Sequence, residues 1–170
     1  MLKITLPALL LVVFPAFAAP TVSVGFSPSH TALQNVLSVV NDASTSLDVE
    51  AYSFTSKPIA TAIITAKKRG VNVRVVADKK ANGDRYSAVT YLTNNHVPVR
   101  LNSRYAIMHN KVMIADGSTV QTGSFNCTAS ADSRNAENSI VLRGVPQIAA
   151  QYEKEFNRLW AESEVLAPAY

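Results

Sequence analysis

The spacing of hydrophobic residues changes repeatedly along the chain, and each change marks a predicted boundary between a strand and a helix. Apolar residues recur every three or four positions in the predicted helices. These are 31–43, 59–68, a segment through Val89 and Leu92 that ends near Asn94, and 148–159. Alternating or continuous apolar residues predict the strands. These are 21–26, 46–55, 71–78, 97–101, 110–115, 119–123 and 136–143.

Turn residues between these segments predict how the strands pair. Pro58 lies where the second helix can begin and Arg69-Gly70 ends it, which gives a strand-helix-strand unit with parallel strands. Asp116-Gly117 favours an antiparallel hairpin, and a polar loop follows from Ser124 to Arg134. For a chain of 170 residues this order predicts one α/β domain with a mixed, mostly parallel sheet flanked by helices.

The first 18 residues have the features of an export signal. Lys3 precedes an apolar run that ends in a small-x-small sequence, the pattern that signal peptidase reads. We expect cleavage to leave residues 19–170 as the mature domain, in the periplasm or secreted, without stable membrane association. An uncleaved membrane anchor is the alternative, although the run is short for a bilayer span and is interrupted by Pro7 and Pro15.

Composition adds a mild preference about partners. Sixteen lysines and arginines against twelve aspartates and glutamates give a net charge of +4. This balance favours an anionic partner, either nucleic acid or a lipid headgroup surface. Cys127 is the only cysteine, so a disulfide within the chain and a zinc site built on several thiolates are excluded, and we expect a small buried residue.

Candidate chemistry is concentrated in the predicted hairpin. His109 and Lys111 are two residues apart, so on a strand they project to the same side while Val112 and Ile114 turn to the other. An imidazole beside an ammonium suits a phosphoryl group, because the ring nitrogen can attack phosphorus and the lysine can neutralise the non-bridging oxygens. With Asp116, these residues form the pattern His-x-Lys-x4-Asp.

Further polar residues follow the hairpin. Gly123 lets the backbone approach a ligand closely, and Ser124 and Asn126 offer a hydroxyl and an amide of the type that binds phosphate oxygens. Glu137 opens the next strand, where its carboxylate can accept a hydrogen bond from the other imidazole nitrogen. Read singly, Ser124 and Asn126 are ordinary turn residues and Glu137 is a surface carboxylate.

Taken together, these residues resemble the signature of the phospholipase D superfamily in order and spacing. The matching positions are His109, Lys111, Asp116, Gly123, Ser124, Asn126 and Glu137. The resemblance extends to "AYSFT" at 51–55 and to 66–78, and thus covers nearly the whole mature chain. It is closest to the small exported bacterial endonucleases with one motif per chain, and it implies a phospholipase D-like α/β/α sandwich.

The resemblance also implies catalytic roles. His109 would be the nucleophile that forms a phosphohistidine, Lys111 and Asn126 would hold the phosphoryl oxygens, and Glu137 with Ser124 would orient the histidine. Since the leaving oxygen needs a second histidine as acid and the chain has one motif, the family solution is a homodimer with the site on its twofold axis.

Asp116 is expected to organise this network or to position Lys111 rather than to touch substrate. No cofactor is implied, and scattered carboxylates such as Asp78 and Asp84 show no spacing typical of a two-metal site, so metal-independent cleavage is predicted.

The predicted activity is hydrolysis of DNA, with RNA as another possible substrate, and with little sequence specificity. Arg104 and Arg134 flank the motif and are candidate contacts to substrate phosphates. Two alternatives stay open: a phospholipid hydrolase or transferase with the same chemistry, and a catalytically silent nucleic-acid-binding module.

Overall fold

The computed structural model describes residues 19–84 and 87–169, and the predicted signal at 1–18 lies outside the described residues. Their strands are β1 (Thr21–Ser27), β2 (Ser46–Ala51), β3 (Asn72–Asp78), β4 (Val99–Asn102), β5 (Lys111–Ala115), β6 (Thr119–Gly123), β7 (Glu137–Arg143) and β8 (Glu164–Val165). Their helices are α1 (Thr31–Asp42), α2 (Lys57–Lys68), α3 (Ala88–Asn94), α4 (Ala129–Ser133) and α5 (Pro146–Ala161).

The described strands form one mixed sheet in the order β1-β7-β6-β5-β2-β3-β4-β8. The prediction of a mixed sheet flanked by helices is confirmed, but the expectation that it is mostly parallel is wrong. Only β2–β3 and β3–β4 are parallel, whereas the other five neighbouring pairs are antiparallel. Helical crossovers join β1, β2, β3 and β4, which run in the same direction. However, β7, β6 and β5 lie between β1 and β2 and alternate in direction, so every pair in that half of the sheet is antiparallel.

Both faces of the sheet are covered, because successive residues of the central strands enter two different cores. Met113 of β5 packs with α1, α2 and α3 on one face. Val112 and Ile114 pack with Phe156 and Leu159 of α5 on the other. The sheet therefore lies between two helical layers, and among the described residues no helix is both long and apolar enough to cross a bilayer.

One departure from the sequence prediction lies at the end of β2. The strand stops at Ala51, and Phe54 instead bridges to Cys127. The backbone N–H groups of Thr55 and Ser56 both donate to the carbonyl of Cys127 at 2.9 Å. Burial raises the pKa of the Cys127 thiol to about 12, so the cysteine is a neutral core residue.

Part of the predicted polar loop 124–134 is helical. In α4, the Thr128 side chain caps the first turn by accepting a hydrogen bond from the N–H of Ala131 at 3.1 Å. The short strand β8 was not predicted either.

The strand directions bring the predicted site residues to one edge of the sheet. β2 ends at Ala51 opposite Lys111, the first residue of β5. β6 ends at Gly123 opposite Ser139, which places the start of β7 at the same edge. This is the edge at the carboxyl ends of the parallel strands, where open α/β sheets bind ligands.

Candidate active site

A cleft of about 600 Å³ opens at this edge of the sheet. Five of the six predicted catalytic residues line it, although they come from separate parts of the chain. They are His109, Lys111, Ser124, Asn126 and Glu137. The fold thus brings together an imidazole, an ammonium, an amide and a carboxylate in one cavity, and these groups suit phosphoryl transfer.

His109 and Lys111 are joined by a direct contact and share an aromatic neighbour. The Lys111 ammonium donates a hydrogen bond to the His109 carbonyl at 2.6 Å. The Tyr52 ring lies 4.6 Å from the imidazole, centroid to centroid, and 5.2 Å from the ammonium. Burial lowers the pKa of Lys111, opposed by the Glu137 carboxylate. Tyr52 therefore restricts the imidazole, which is otherwise exposed.

A hydrogen-bonded group forms around Glu137. The Ser124 hydroxyl donates to one carboxylate oxygen at 2.5 Å, and the Asn135 side-chain amide donates to the other at 2.8 Å. The Asn138 backbone N–H in turn donates to the Ser124 hydroxyl at 3.0 Å. The predicted association of Ser124 with Glu137 is present. Within the described part of this single chain Glu137 makes no hydrogen bond to His109, so its orienting role stays a prediction.

Gly123 is required for this arrangement. Its φ is +149°, and a Cβ atom there would lie 2.3 Å from the carbonyl oxygen of Asn138. A side chain would therefore push β6 away from β7 and separate Ser124 from Glu137.

Asn126 retains unused hydrogen-bonding capacity. Its side-chain Oδ1 is buried and has no partner among the described residues. Because buried amides are normally paired, the Asn126 amide is available for a ligand in the cleft, and its NH2 group rather than Oδ1 is the part that can donate to a phosphate oxygen.

Asp116 lies outside the cleft, at the opposite end of β5. Its carboxylate accepts hydrogen bonds from the backbone N–H groups of Ser44, Thr45 and Ser46 at 2.7–3.2 Å. Burial alone would raise the pKa of Asp116, but these hydrogen bonds outweigh it and lower the pKa. Five residues of extended chain separate it from Lys111 by roughly 16 Å. The structure therefore places Asp116 away from Lys111, with its carboxylate on the turn that precedes β2. Its expected part in organising the catalytic network stays a prediction.

Neither predicted arginine lines the cleft. The Arg104 side chain is 67% exposed and lies 3.8 Å from the carboxylate of Glu162. Arg134 is exposed at the end of α4. Their contacts to substrate stay predictions.

The sequence interpretation missed several residues of the site, of which Glu50 and Tyr52 are the most informative. Glu50 of β2 lines the cleft, and Tyr52, just after β2, contacts His109. Glu50 is 2% exposed and accepts a hydrogen bond from the Asn110 side chain at 2.8 Å. Burial raises its pKa from 4.5 to about 7. The alternation of β2 places Asp48, Glu50 and Tyr52 on one face, and carboxylates on a buried strand were the available signal. Tyr152 and Glu155 of α5 also line the cleft, on a helix interpreted only as core.

Comparison with known families agrees with this site. The family model described as "Cardiolipin synthase, PLD-like domain" matches residues 36–160. This chain belongs to the phospholipase D superfamily. The matched range includes every residue of the cleft named above, and membership makes the protein a phosphodiesterase.

Relatives and solved structures extend across most of this phospholipase D-like domain. "Phospholipase D" of Rickettsia conorii is 34% identical over 137 residues, which cover 81% of this chain and 68% of the relative. The crystal structure of Nuc, a phospholipase D family member from Salmonella typhimurium, superposes with a TM-score of 0.85 at 38% identity, over 88% of this chain and 99% of Nuc. NucT from Helicobacter pylori has a TM-score of 0.77 at 25% identity, over 87% and 100%.

Proposed function

We propose that the protein is an endonuclease that hydrolyses DNA with little sequence preference and without a metal cofactor, through a covalent phosphohistidine. The observation that carries this proposal is the His109–Lys111 pair in a cleft that also contains Asn126 and the Ser124–Glu137 hydrogen bond. Similarity to Nuc and NucT along nearly their full length supports it, as does the net charge of +4.

The proposed reaction has two steps. The His109 imidazole attacks phosphorus, so that a P–N bond forms and the P–O bond to the leaving oxygen breaks, with a proton supplied to that oxygen by a second histidine. Water then attacks phosphorus, the P–N bond breaks, and the second histidine takes the proton from water. Lys111 and the amide of Asn126 stabilise the charge on the non-bridging oxygens.

The second histidine is proposed to be His109 of another copy. In the described chain His109 is the only histidine that lines the cleft. The outward face of β1 supports a homodimer, because Val22, Val24 and Phe26 are 61%, 57% and 56% exposed along an edge strand. This apolar face leads to the cleft, since Ser27 of β1 is paired with Glu137. Val24→Lys is expected to yield monomers in analytical ultracentrifugation and to lose cleavage with them.

A phospholipid substrate is the second candidate. It is favoured by the family model described as a cardiolipin synthase domain and by the Rickettsia relative called phospholipase D.

Location in the periplasm or outside the cell is part of the proposal, and N-terminal sequencing of the exported protein tests whether the chain begins at Ala19.

The deciding experiment is nicking of supercoiled plasmid by purified protein in excess EDTA. His109→Asn removes the nucleophile and is expected to lower the rate about a thousandfold or more. His96→Asn is the matched control, because His96 is exposed outside the cleft and its backbone φ of +62° is tolerated by asparagine. Cleavage that needs a divalent ion would refute the metal-free mechanism. Turnover of cardiolipin vesicles without DNA cleavage would favour the lipid candidate.

A further inference from the structure

Glu50 is a carboxyl group in a position that suits an apolar residue. It lies on the face of β2 that packs on α5, opposite Val112 of β5, and is 2% exposed. One carboxylate oxygen, Oε1, is buried without a hydrogen-bond partner in the described part of the chain. Burial of such a group opposes folding, so the residue is not explained by stability.

The other oxygen of Glu50 connects it to the catalytic segment. Oε2 accepts a hydrogen bond from the side-chain amide of Asn110 at 2.8 Å. Asn110 stands between His109 and Lys111, and the strand pairing of β5 with β2 begins only at Lys111. The segment that carries the imidazole thus precedes the ladder and depends on side chains for its position.

A second side chain holds the same segment on its other side. The backbone N–H of Met108 donates to the carboxylate of Asp78 at 2.8 Å. Asp78 and Glu50 therefore fix the two residues that flank His109, one through a backbone group and one through Asn110.

We propose that Glu50 is a positioning residue, which fixes the segment carrying His109 and Lys111 by accepting the hydrogen bond of Asn110. This proposal depends on the proposed function in one respect, namely that the cleft hydrolyses a phosphodiester. Glu50 itself does not touch the reacting atoms; it acts through Asn110, and its burial lowers folding stability.

The charged surroundings of Glu50 indicate when this contact is strongest. The pKa of Glu50 is raised to about 7, chiefly by burial. The Asn110 hydrogen bond and Arg158 lower this pKa, whereas the charges of Glu155 and Asp48 raise it. Asp48 is paired with Arg74 and Glu155 with Arg158, while His109 and Lys111 face the same cleft. Ionised carboxylates form stronger hydrogen bonds than neutral acids, so the Asn110 contact strengthens as pH rises through 7.

Two substitutions separate positioning from a structural role. Glu50→Met keeps the length of the side chain and removes the acceptor, whereas Glu50→Gln keeps an acceptor that does not titrate. Turnover of bis(4-nitrophenyl) phosphate gives kcat and KM, and urea unfolding gives stability. For Glu50→Met we expect equal or higher stability with kcat about tenfold lower and KM within about twofold. For Glu50→Gln we expect most of kcat to return and a pH profile from which only the contribution of Glu50 is missing, so that the bell shape expected from the two His109 rings remains.

Asp48→Asn is the matched control, because Asp48 is a buried carboxylate on the same face of β2 whose partner is Arg74 rather than the catalytic segment. It is expected to lose stability and retain kcat. A Glu50→Met variant with lower stability and unchanged kcat would overturn the proposal in favour of a structural role. A change confined to KM would overturn it in favour of a substrate contact.

An NMR measurement tests the same contact without turnover. The Asn110 side-chain amide should shift with a midpoint near pH 7 in the unmodified protein and stay constant in Glu50→Gln. If no diester is hydrolysed but this titration is seen, the proposed function fails while the Glu50–Asn110 contact stands. An Asn110 amide that is insensitive to pH in both proteins overturns the inference.

Discussion

Replacement of Asp116 by asparagine tests whether the aspartate of the His-x-Lys-x4-Asp pattern serves the fold or the reaction. Asp116 has a φ of +53°, a left-handed conformation that asparagine tolerates, so the change adds little backbone strain. Oδ1 accepts from Thr45 and Ser46, and an asparagine carbonyl can replace it. Oδ2 accepts from the N–H and hydroxyl of Ser44, and an amide NH2 in its place would face the Ser44 N–H with another donor.

The expected loss of stability follows from these contacts. A hydrogen bond to a charged group contributes roughly 1.5–3 kcal/mol, and the turn is partly exposed, so we expect a loss of about 2 kcal/mol. In a domain of this size that corresponds to a fall in Tm of about 4–8 °C. Because the pKa of Asp116 is lowered by folding, its contribution is present above the unfolded-state pKa and is lost as pH falls through the folded-state pKa.

Urea unfolding at pH 7 and at pH 3.5 measures this loss, and bis(4-nitrophenyl) phosphate turnover at 25 °C measures the site. We expect a clear loss of stability at pH 7, a smaller one at pH 3.5, and a kcat within about twofold of the unmodified protein. Asp42→Asn is the control, because Asp42 is an exposed carboxylate paired with Arg143. A large fall in kcat at unchanged stability would refute the structural role of Asp116.

Three further changes test the cleft. Because folding raises the pKa of Glu50, the free energy of unfolding falls as pH rises from about 4.5 to about 7, by about 3 kcal/mol in total. Urea unfolding at pH 5 and pH 8 should show this fall in the unmodified protein and not in Glu50→Gln. An equal fall in both proteins would contradict it. Ser124→Ala should lower kcat about tenfold by removing one of the two side-chain hydrogen bonds that hold Glu137, with a change in Tm of a few degrees at most. Tyr52→Leu should lower kcat by removing the ring that packs on His109, and an unchanged kcat would exclude that role. The pH profile of kcat should be bell-shaped, since one His109 must be neutral and its partner protonated; a rate that climbs steadily into alkali would indicate hydroxide attack.

Local patterns in the sequence were sufficient for most elements and for five of the residues that line the cleft. Strand alternation placed Val112 and Ile114 on one face, as found in the α5 core. The residues after the hairpin lie close to Lys111 because β6 ends, and β7 begins, at the edge of the sheet where β5 begins. The Asp116-Gly117 turn marks the reversal between β5 and β6 locally, whereas thirteen residues that include α4 join β6 to β7.

Features that depend on pairing between distant strands were not predictable in the same way. The position of β5 beside β2, rather than beside β4 that precedes it in the chain, is not visible in any local pattern. It also places Glu50 next to Asn110 and Tyr52 next to His109, contacts across about 60 residues of chain that no local period reveals. Helix α4 was hidden in a polar segment because its five residues bury only Ala131.

The separation of Asp116 from the cleft gives the spacing of the motif a physical meaning. Lys111 is the first residue of β5, and the four residues between it and Asp116 are the rest of that strand, which runs from the cleft to the turn before β2. By holding Ser46, Asp116 favours the register in which Glu50 lies opposite Val112, and a slip of one residue would turn Glu50 to the other face of the sheet. Once the ladder has formed, its own hydrogen bonds maintain that register. The aspartate therefore contributes to the free energy of the fold in which the site exists, and its loss is expected in the unfolding curve rather than in kcat.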